Sequence, residues 1–192
     1  MPHADCDFCD RDRMMQYIPG DVRCDRWVYE DKHSFAVLDP CQYTLGHTLL
    51  ISKSDATDLS GQGVQEAMWK TEYQCFADAI PKVMTLLRNS ARYEGQKPDR
   101  IYVCSLCDGT EHLHVHLIPR YPFTTHDDSV YRDYFYRRDG VEKVEKHIEK
   151  RHLGGFWFVA ERERNWKGSF FGMKKIKERA EFLECLAKKI RS

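Results

Sequence analysis

From Arg26 onward the apolar residues come in short alternating runs, W-V-Y-E-D, then S-F-A-V-L-D, then G-H-T-L-L-I-S-K, divided by Asp31-Lys32 and by the stretch from Pro40 to Gly46. Alternation with period two, broken by turn-forming residues, predicts antiparallel strands. After Gly63 the period lengthens. Met68, Cys75, Ala79, Val83 and Leu86 follow a three-to-four spacing that predicts a long helix reaching about Ser90, with Pro81 bending it locally rather than ending it. A polar loop from Glu94 to Asp99 leads to the extended run R-I-Y-V-C-S, and Asp108-Gly109 turns the chain into H-L-H-V-H-L-I-P-R. About five strands and one long helix make an α+β layer fold, with an antiparallel five-stranded sheet and the helix packed on it.

Beyond Pro119 the pattern predicts a short amphipathic helix at Val141, Val144 and Ile148, a short strand F-W-F-V-A after Gly154-Gly155, and a terminal helix through Ile176, Ala180, Leu183, Ala187 and Ile190. The expected organisation is a catalytic domain over 1–120 and a carboxyl-terminal helical extension over 121–192 packed on it. A chain of 192 residues is long enough for one substantial core. Thirty basic and thirty acidic residues balance, so no global field draws it to nucleic acid or an anionic membrane. The opening M-P-H-A-D-C-D-F-C-D is too acidic for a signal peptide, and no apolar stretch approaches the roughly 18 residues of a membrane span. The expectation is a cytoplasmic protein whose eight cysteines are reduced or metal-bound rather than paired in disulfides.

The strongest chemical signal is His112, His114 and His116. Alternate residues of a strand share a face, so three imidazoles line up opposite Leu113, Val115 and Leu117. With nine histidines in the chain, composition predicts roughly 0.02 such windows by chance. Neutral imidazole is a nucleophile and a partner for phosphate oxygens. Neighbours about 6.6–6.8 Å apart along a strand bracket a single phosphate, the middle one closest to phosphorus. Spacing alone leaves phosphoryl or nucleotidyl transfer, a metal site and a solvated polar face all open.

The context resembles the histidine triad (HIT) family of nucleotide hydrolases and transferases. The resemblance runs from Cys6 to about Arg120 and rests on C-D-F-C, F-A-V-L-D-P, G-H-T-L-L-I-S-K, A-I-P-K-V and H-L-H-V-H-L-I-P-R. It implies that His114 attacks an α-phosphorus to give a nucleotidyl-histidine that water then hydrolyses, the bond cleaved being a phosphoramidate or the phosphoanhydride of a dinucleoside polyphosphate. His112 and His116 would hold non-bridging oxygens. Asp39 would accept hydrogen bonds from the ribose hydroxyls, and His47 would orient the triad from behind. Gly109 and Thr110 match the family's phosphate-contacting loop, which is shorter here and carries Asp108 and Glu111. The resemblance also implies a homodimer and no catalytic cofactor.

In the branch of the family that opens with Cys-x-x-Cys, the thiolates, the first triad histidine and a further histidine bind structural zinc. Cys6, Cys9 and His112 match, and Asp55 stands where the fourth ligand would fall. A carboxylate is an acceptable zinc ligand. Cys104 and Cys107 offer a rival four-cysteine site with Cys6 and Cys9, or Cys104 is a buried small residue. Three functional readings stay open: the hydrolase, a nucleotide-sensing or partner-binding module with little turnover, and a nucleic-acid end-processing enzyme. The last would use the aromatic and basic mixture of Tyr131, Arg132, Tyr134, Phe135, Tyr136, Arg137, Arg138, Trp157 and Trp166 as its grip.

Overall fold

The computed structural model describes residues 6–17, 22–40, 42, 44–62, 64–93, 95–105, 111–121 and 176–192. Five strands form one antiparallel sheet in the order β3-β4-β5-β7-β6: β3 Trp27–Glu30, β4 Ser34–Leu38, β5 Thr48–Ser52, β6 Arg100–Cys104 and β7 His114–Arg120. The fold is the expected α+β arrangement. The β3–β4 hairpin turns at Asp31, whose Oδ1 accepts hydrogen bonds from the backbone N–H groups of His33 and Ser34, a polar side chain replacing backbone partners in a tight turn. A separate two-stranded ribbon, β1 Gln16–Tyr17 with β2 Val22–Arg23, precedes the sheet.

One face of the sheet packs under two helices, α2 Glu66–Ser90 and α3 Ile176–Arg191. Ala36, Leu38, Leu50, Val115 and Leu117 meet Phe76, Ala79, Val83 and Leu87 of α2 and Ala180, Leu183, Leu186, Ala187 and Ile190 of α3. The helix runs through Pro81, which lies on its exposed side, where the missing N–H disturbs only the water-facing backbone. The buried stripe is set a little differently from the expected one. Phe76 and Leu87 are its anchors, while Met68 is 55% exposed and Cys75 and Leu86 lie at its margins.

The other face carries a second apolar cluster of Trp27, Phe35, Val37, Leu49 and Ile51, covered by Met14 and flanked by Phe8 and Met15. Those covering residues belong to a short 3-10 turn, Asp7–Cys9, and helix α1, Arg11–Met15. Arg26, itself buried, donates to the carbonyls of Leu38 and Met14 and so ties this segment to the end of β4. Every residue of β4 and β5 is consequently buried, and the alternation of their side chains separates two cores rather than core from solvent.

Among the described residues no helix is long and apolar enough to cross a membrane. The segment expected to hold the Val141–Ile148 helix, the F-W-F-V-A strand and the aromatic and basic mixture from Tyr131 to Trp166 lies outside the described residues, as do Gly109, Thr110 and Cys107.

Candidate active site and metal centre

β7 sits between β5 and β6, so its histidines stand in the middle of the sheet. His116 is opposite Leu49 on one side and Cys104 on the other, and His114 is opposite Ile51. Residues facing each other across an antiparallel pair share a face, so His114 and His116 share the face of the second apolar cluster, while His112 lies just before the strand. The rings of His114 and His116 have centroids 5.2 Å apart.

Each ring is held by a particular partner. Nδ1 of His114 is 2.8 Å from the carbonyl oxygen of His112. A carbonyl can only accept, so Nδ1 carries the proton and the lone pair of the neutral ring is on Nε2. Nε2 of His112 is 2.7 Å from the carbonyl of Ser52, which by the same reasoning places its lone pair on Nδ1. That Nδ1 lies 3.6 Å from Sγ of Cys6 and 3.5 Å from Sγ of Cys9. His112 is therefore turned away from its two neighbours and towards the thiols.

The three donors Cys6, Cys9 and His112 fit a metal. With bonds of about 2.3 Å to sulfur and 2.0–2.1 Å to nitrogen, a tetrahedral zinc holds N and S about 3.6 Å apart, matching the separations present. The bond from Nε2 to Ser52 is the outer contact that commonly fixes a ligating histidine in its metal-binding tautomer. Asp55 lies half-buried in the bend after β5 and is not among the donors that converge there. Cys104 stands opposite His116 on β6 and is likewise not among these donors, and burial pushes its thiol pKa up.

Behind His116 lies His47, fully buried, with its Nε2 3.0 Å from Nδ1 of His116 and its Nδ1 3.7 Å from a carboxylate oxygen of Asp39. The loop from Asp39 to His47 that joins β4 to β5 is closed at its base by the bond from the Asp39 N–H to the His47 carbonyl. Thr44 donates to the carbonyl of Pro119, and the Tyr121 hydroxyl to that of Leu45, so both hold the loop against the end of β7. Gly46 turns the chain at φ +83°, a conformation that favours glycine.

Sequence reading missed two residues of this site. Phe8, between the two cysteines, packs its ring edge-on against His114 with centroids 4.9 Å apart. Its position inside C-D-F-C was the available signal, since whatever fixes both thiols also fixes the residue between them. Gln42, 1% exposed, donates to the carbonyls of Asp39 and His47 and accepts from the N–H of Gly46. A single glutamine in a turn carries no periodicity that would have marked it.

The chain is similar to known proteins in sequence and in fold. The chain is 29% identical over 162 residues to Protein hit of Bacillus subtilis, an alignment spanning 76% of this chain and 93% of that one. Its fold is similar to the crystal structure of a Hit-like protein involved in cell-cycle regulation from Bartonella henselae, with TM-score 0.53 and 19% identity over 100% of this chain and 98% of that one. A Zn-bound histidine triad family protein from Mycobacterium smegmatis aligns over 97% and 95% of the two chains with TM-score 0.44 and 18% identity. The model of the HIT domain matches residues 22–123, more than half of the chain and the whole of the sheet with its three histidines, and on that match the chain belongs to the HIT family.

Proposed function

We propose that this protein is a nucleotide hydrolase or nucleotidyltransferase that works through a covalent intermediate on His114. The observation that carries the reading is the hydrogen bond from His114 Nδ1 to the His112 carbonyl, which puts the nucleophilic lone pair on Nε2 of the central histidine. In the first step Nε2 bonds to the α-phosphorus of a nucleoside phosphoramidate or dinucleoside polyphosphate as the bond from phosphorus to the leaving group breaks. The phosphoramidate's amine departs with a proton taken up from solvent, and the polyphosphate's leaving group departs as a nucleotide anion. In the second, water attacks phosphorus, the N–P bond breaks, a mononucleotide leaves and His114 is restored. His116 is the histidine placed to exchange protons with these groups or to hold a non-bridging oxygen. Asp39 takes the ribose hydroxyls, and Gly109 and Thr110 the phosphate chain. His112 serves the metal, since both its ring nitrogens are engaged elsewhere.

Cys6, Cys9 and His112 would hold zinc, and water, or Asp55 if it turned in from the bend after β5, would complete the set. A bound zinc supplies a cross-link between the amino-terminal turn and the triad strand. The same reading takes residues 1–120 as the catalytic domain and 121–192 as an extension of it, in a cytoplasmic homodimer whose ligand is a small nucleotide.

Intact-protein mass spectrometry on early-quenched mixtures with an adenosine phosphoramidate or a dinucleoside polyphosphate tests this. A transient gain of one nucleotide mass in the parent and none in His114→Asn is the expected result. Nucleotide binding with neither adduct nor released mononucleotide would make the protein a binding module instead. Turnover by His114→Ala should fall by about three orders of magnitude or more, as loss of a covalent nucleophile does.

A further inference from the structure

Asp39, His47 and His116 form a chain of contacts, although the nucleotide reading sets Asp39 apart on the ribose and leaves only His47 behind the triad. The Asp39 carboxylate lies 3.7 Å from Nδ1 of His47, whose Nε2 lies 3.0 Å from Nδ1 of His116. The rings of His47 and His116 are nearly parallel, 20° apart, with centroids separated by 5.2 Å. His47 is fully buried and the Asp39 side chain is 13% exposed, so the attraction between them is weakly screened. Gln42 staples the backbone on both sides of the pair, holding carboxylate and imidazole in register across an eight-residue step in sequence.

We propose that Asp39 is a positioning residue for His116, acting through His47, in addition to the ribose contact proposed for it above. A carboxylate beside Nδ1 of a buried neutral imidazole favours the tautomer with the proton on that nitrogen. Nε2 of His47 is then an acceptor, and the 3.0 Å hydrogen bond must be donated by Nδ1–H of His116. This puts the lone pair of His116 on Nε2, the same tautomer that the His112 carbonyl imposes on His114. Two adjacent histidines thus receive one orientation by two different devices, a backbone carbonyl and a buried carboxylate relayed through an imidazole.

The consequence for the proposed reaction is a proton acceptor beside the nucleophile. In the second step Nε2 of His116 takes a proton from the attacking water, the P–O bond forms and the N–P bond to His114 breaks. The positive charge on His116 spreads to His47 and is offset by the Asp39 carboxylate. This kinetic consequence rests on the nucleotidyl-transfer reading, whereas the tautomer of His116 does not.

Long-range 1H–15N correlation spectra of the zinc-loaded, 15N-labelled protein report which imidazole nitrogen is protonated, for the parent, Asp39→Asn and His47→Asn. The parent should show Nδ1–H at His116, and Asp39→Asn should move that ring towards Nε2–H while its backbone amide spectrum stays native. Kinetics with a nucleoside phosphoramidate and its 2′,3′-dideoxy counterpart form the second arm. A positioning role lowers kcat by about ten- to a hundredfold on both substrates in Asp39→Asn. A loss confined to KM of the ribose-bearing substrate, or an unchanged His116 tautomer in both variants, overturns the proposal. Absence of turnover in the parent would defeat the nucleotidyl-transfer reading alone, and the spectra would still decide the relay.

Discussion

At the scale of single residues, the site is built by tying each histidine ring to particular partners. His112 is engaged by Ser52 and the two thiols, His114 by a backbone carbonyl, and His116 by His47. Zinc bound at Cys6, Cys9 and His112 would do more than close a loop, because Phe8 lies between the two cysteines and packs against His114. The protein should bind one zinc per chain by elemental analysis, and Cys6→Ser should bind less than a tenth as tightly, since a thiolate ligand is lost. Chelation should lower Tm by several degrees and weaken nucleotide binding, because metal binding is coupled to the order of the turn that carries Phe8. Unchanged melting on zinc removal would show that the turn is held by its apolar contacts alone. The triad was legible in the sequence because strand geometry converts alternation into a shared face. The contact of Asp39 with His47 was not, since it depends on a loop whose closure is made by Gln42 and Thr44, which have no repeat to betray them.

At the scale of elements, period-two runs gave away each strand of the main sheet and the three-to-four spacing gave away α2. What they did not reveal is that β4 and β5 are buried on both sides. That follows from a five-residue helix and a 3-10 turn, too short to show a period, folding over the triad face. The burial pattern on α2 makes a sharp contrast. Leu87→Ala, at 0% exposure beneath the sheet, should cost about 2–5 kcal/mol by denaturant titration, whereas Met68→Ala should stay within about 0.5 kcal/mol. If Met68→Ala were the costlier of the two, the helix would be rotated from the phase seen here. Gly46→Ala carries two burdens at once. Its φ of +83° is unfavourable for a Cβ, and that Cβ would lie 3.3 Å from Cβ of Ala91 and 3.5 Å from Cγ of Pro119. A loss of about 1–2 kcal/mol from the backbone term is expected, with a further fall in turnover because the same residue ends the loop that seats His47.

At the scale of the whole molecule, α3 closes the chain onto residues that begin the sheet. Its apolar stripe, Ala180, Leu183, Leu186, Ala187 and Ile190, enters the core under β3 and α2, and its polar groups grip the segment just before β3. The Cys24 thiol donates to the Ala180 carbonyl, the Asp25 N–H to Glu184, and Arg191 pairs with the Asp25 carboxylate at 3.0 Å. Burial pushes the Cys24 thiol pKa up to about 11, so it remains an uncharged donor through the physiological range. Asp25 is held below the usual carboxyl range because, although burial raises its pKa, the bonds from Arg191 and the Trp27 N–H outweigh that. Asp31 is lowered likewise: burial raises it, and the Tyr29 hydroxyl with the N–H groups of His33 and Ser34 prevail. A carboxyl with a lower pKa folded than unfolded stabilises the fold above the unfolded value, about 3.9, and loses that contribution as pH falls through the folded value. Unfolding free energy should therefore hold level in this respect from pH 7 to about 5 and decline below about pH 4. In Asp31→Asn the decline should be shallower and the value at pH 7 lower, since an amide neither attracts the turn's donors as strongly nor titrates. An acid limb of equal slope in Asp25→Asn, Asp31→Asn and the parent would place the sensitivity in other carboxyls. It would also mean that the clasp between α3 and the start of β3 is held by its apolar stripe, with the ion pair at the surface adding little.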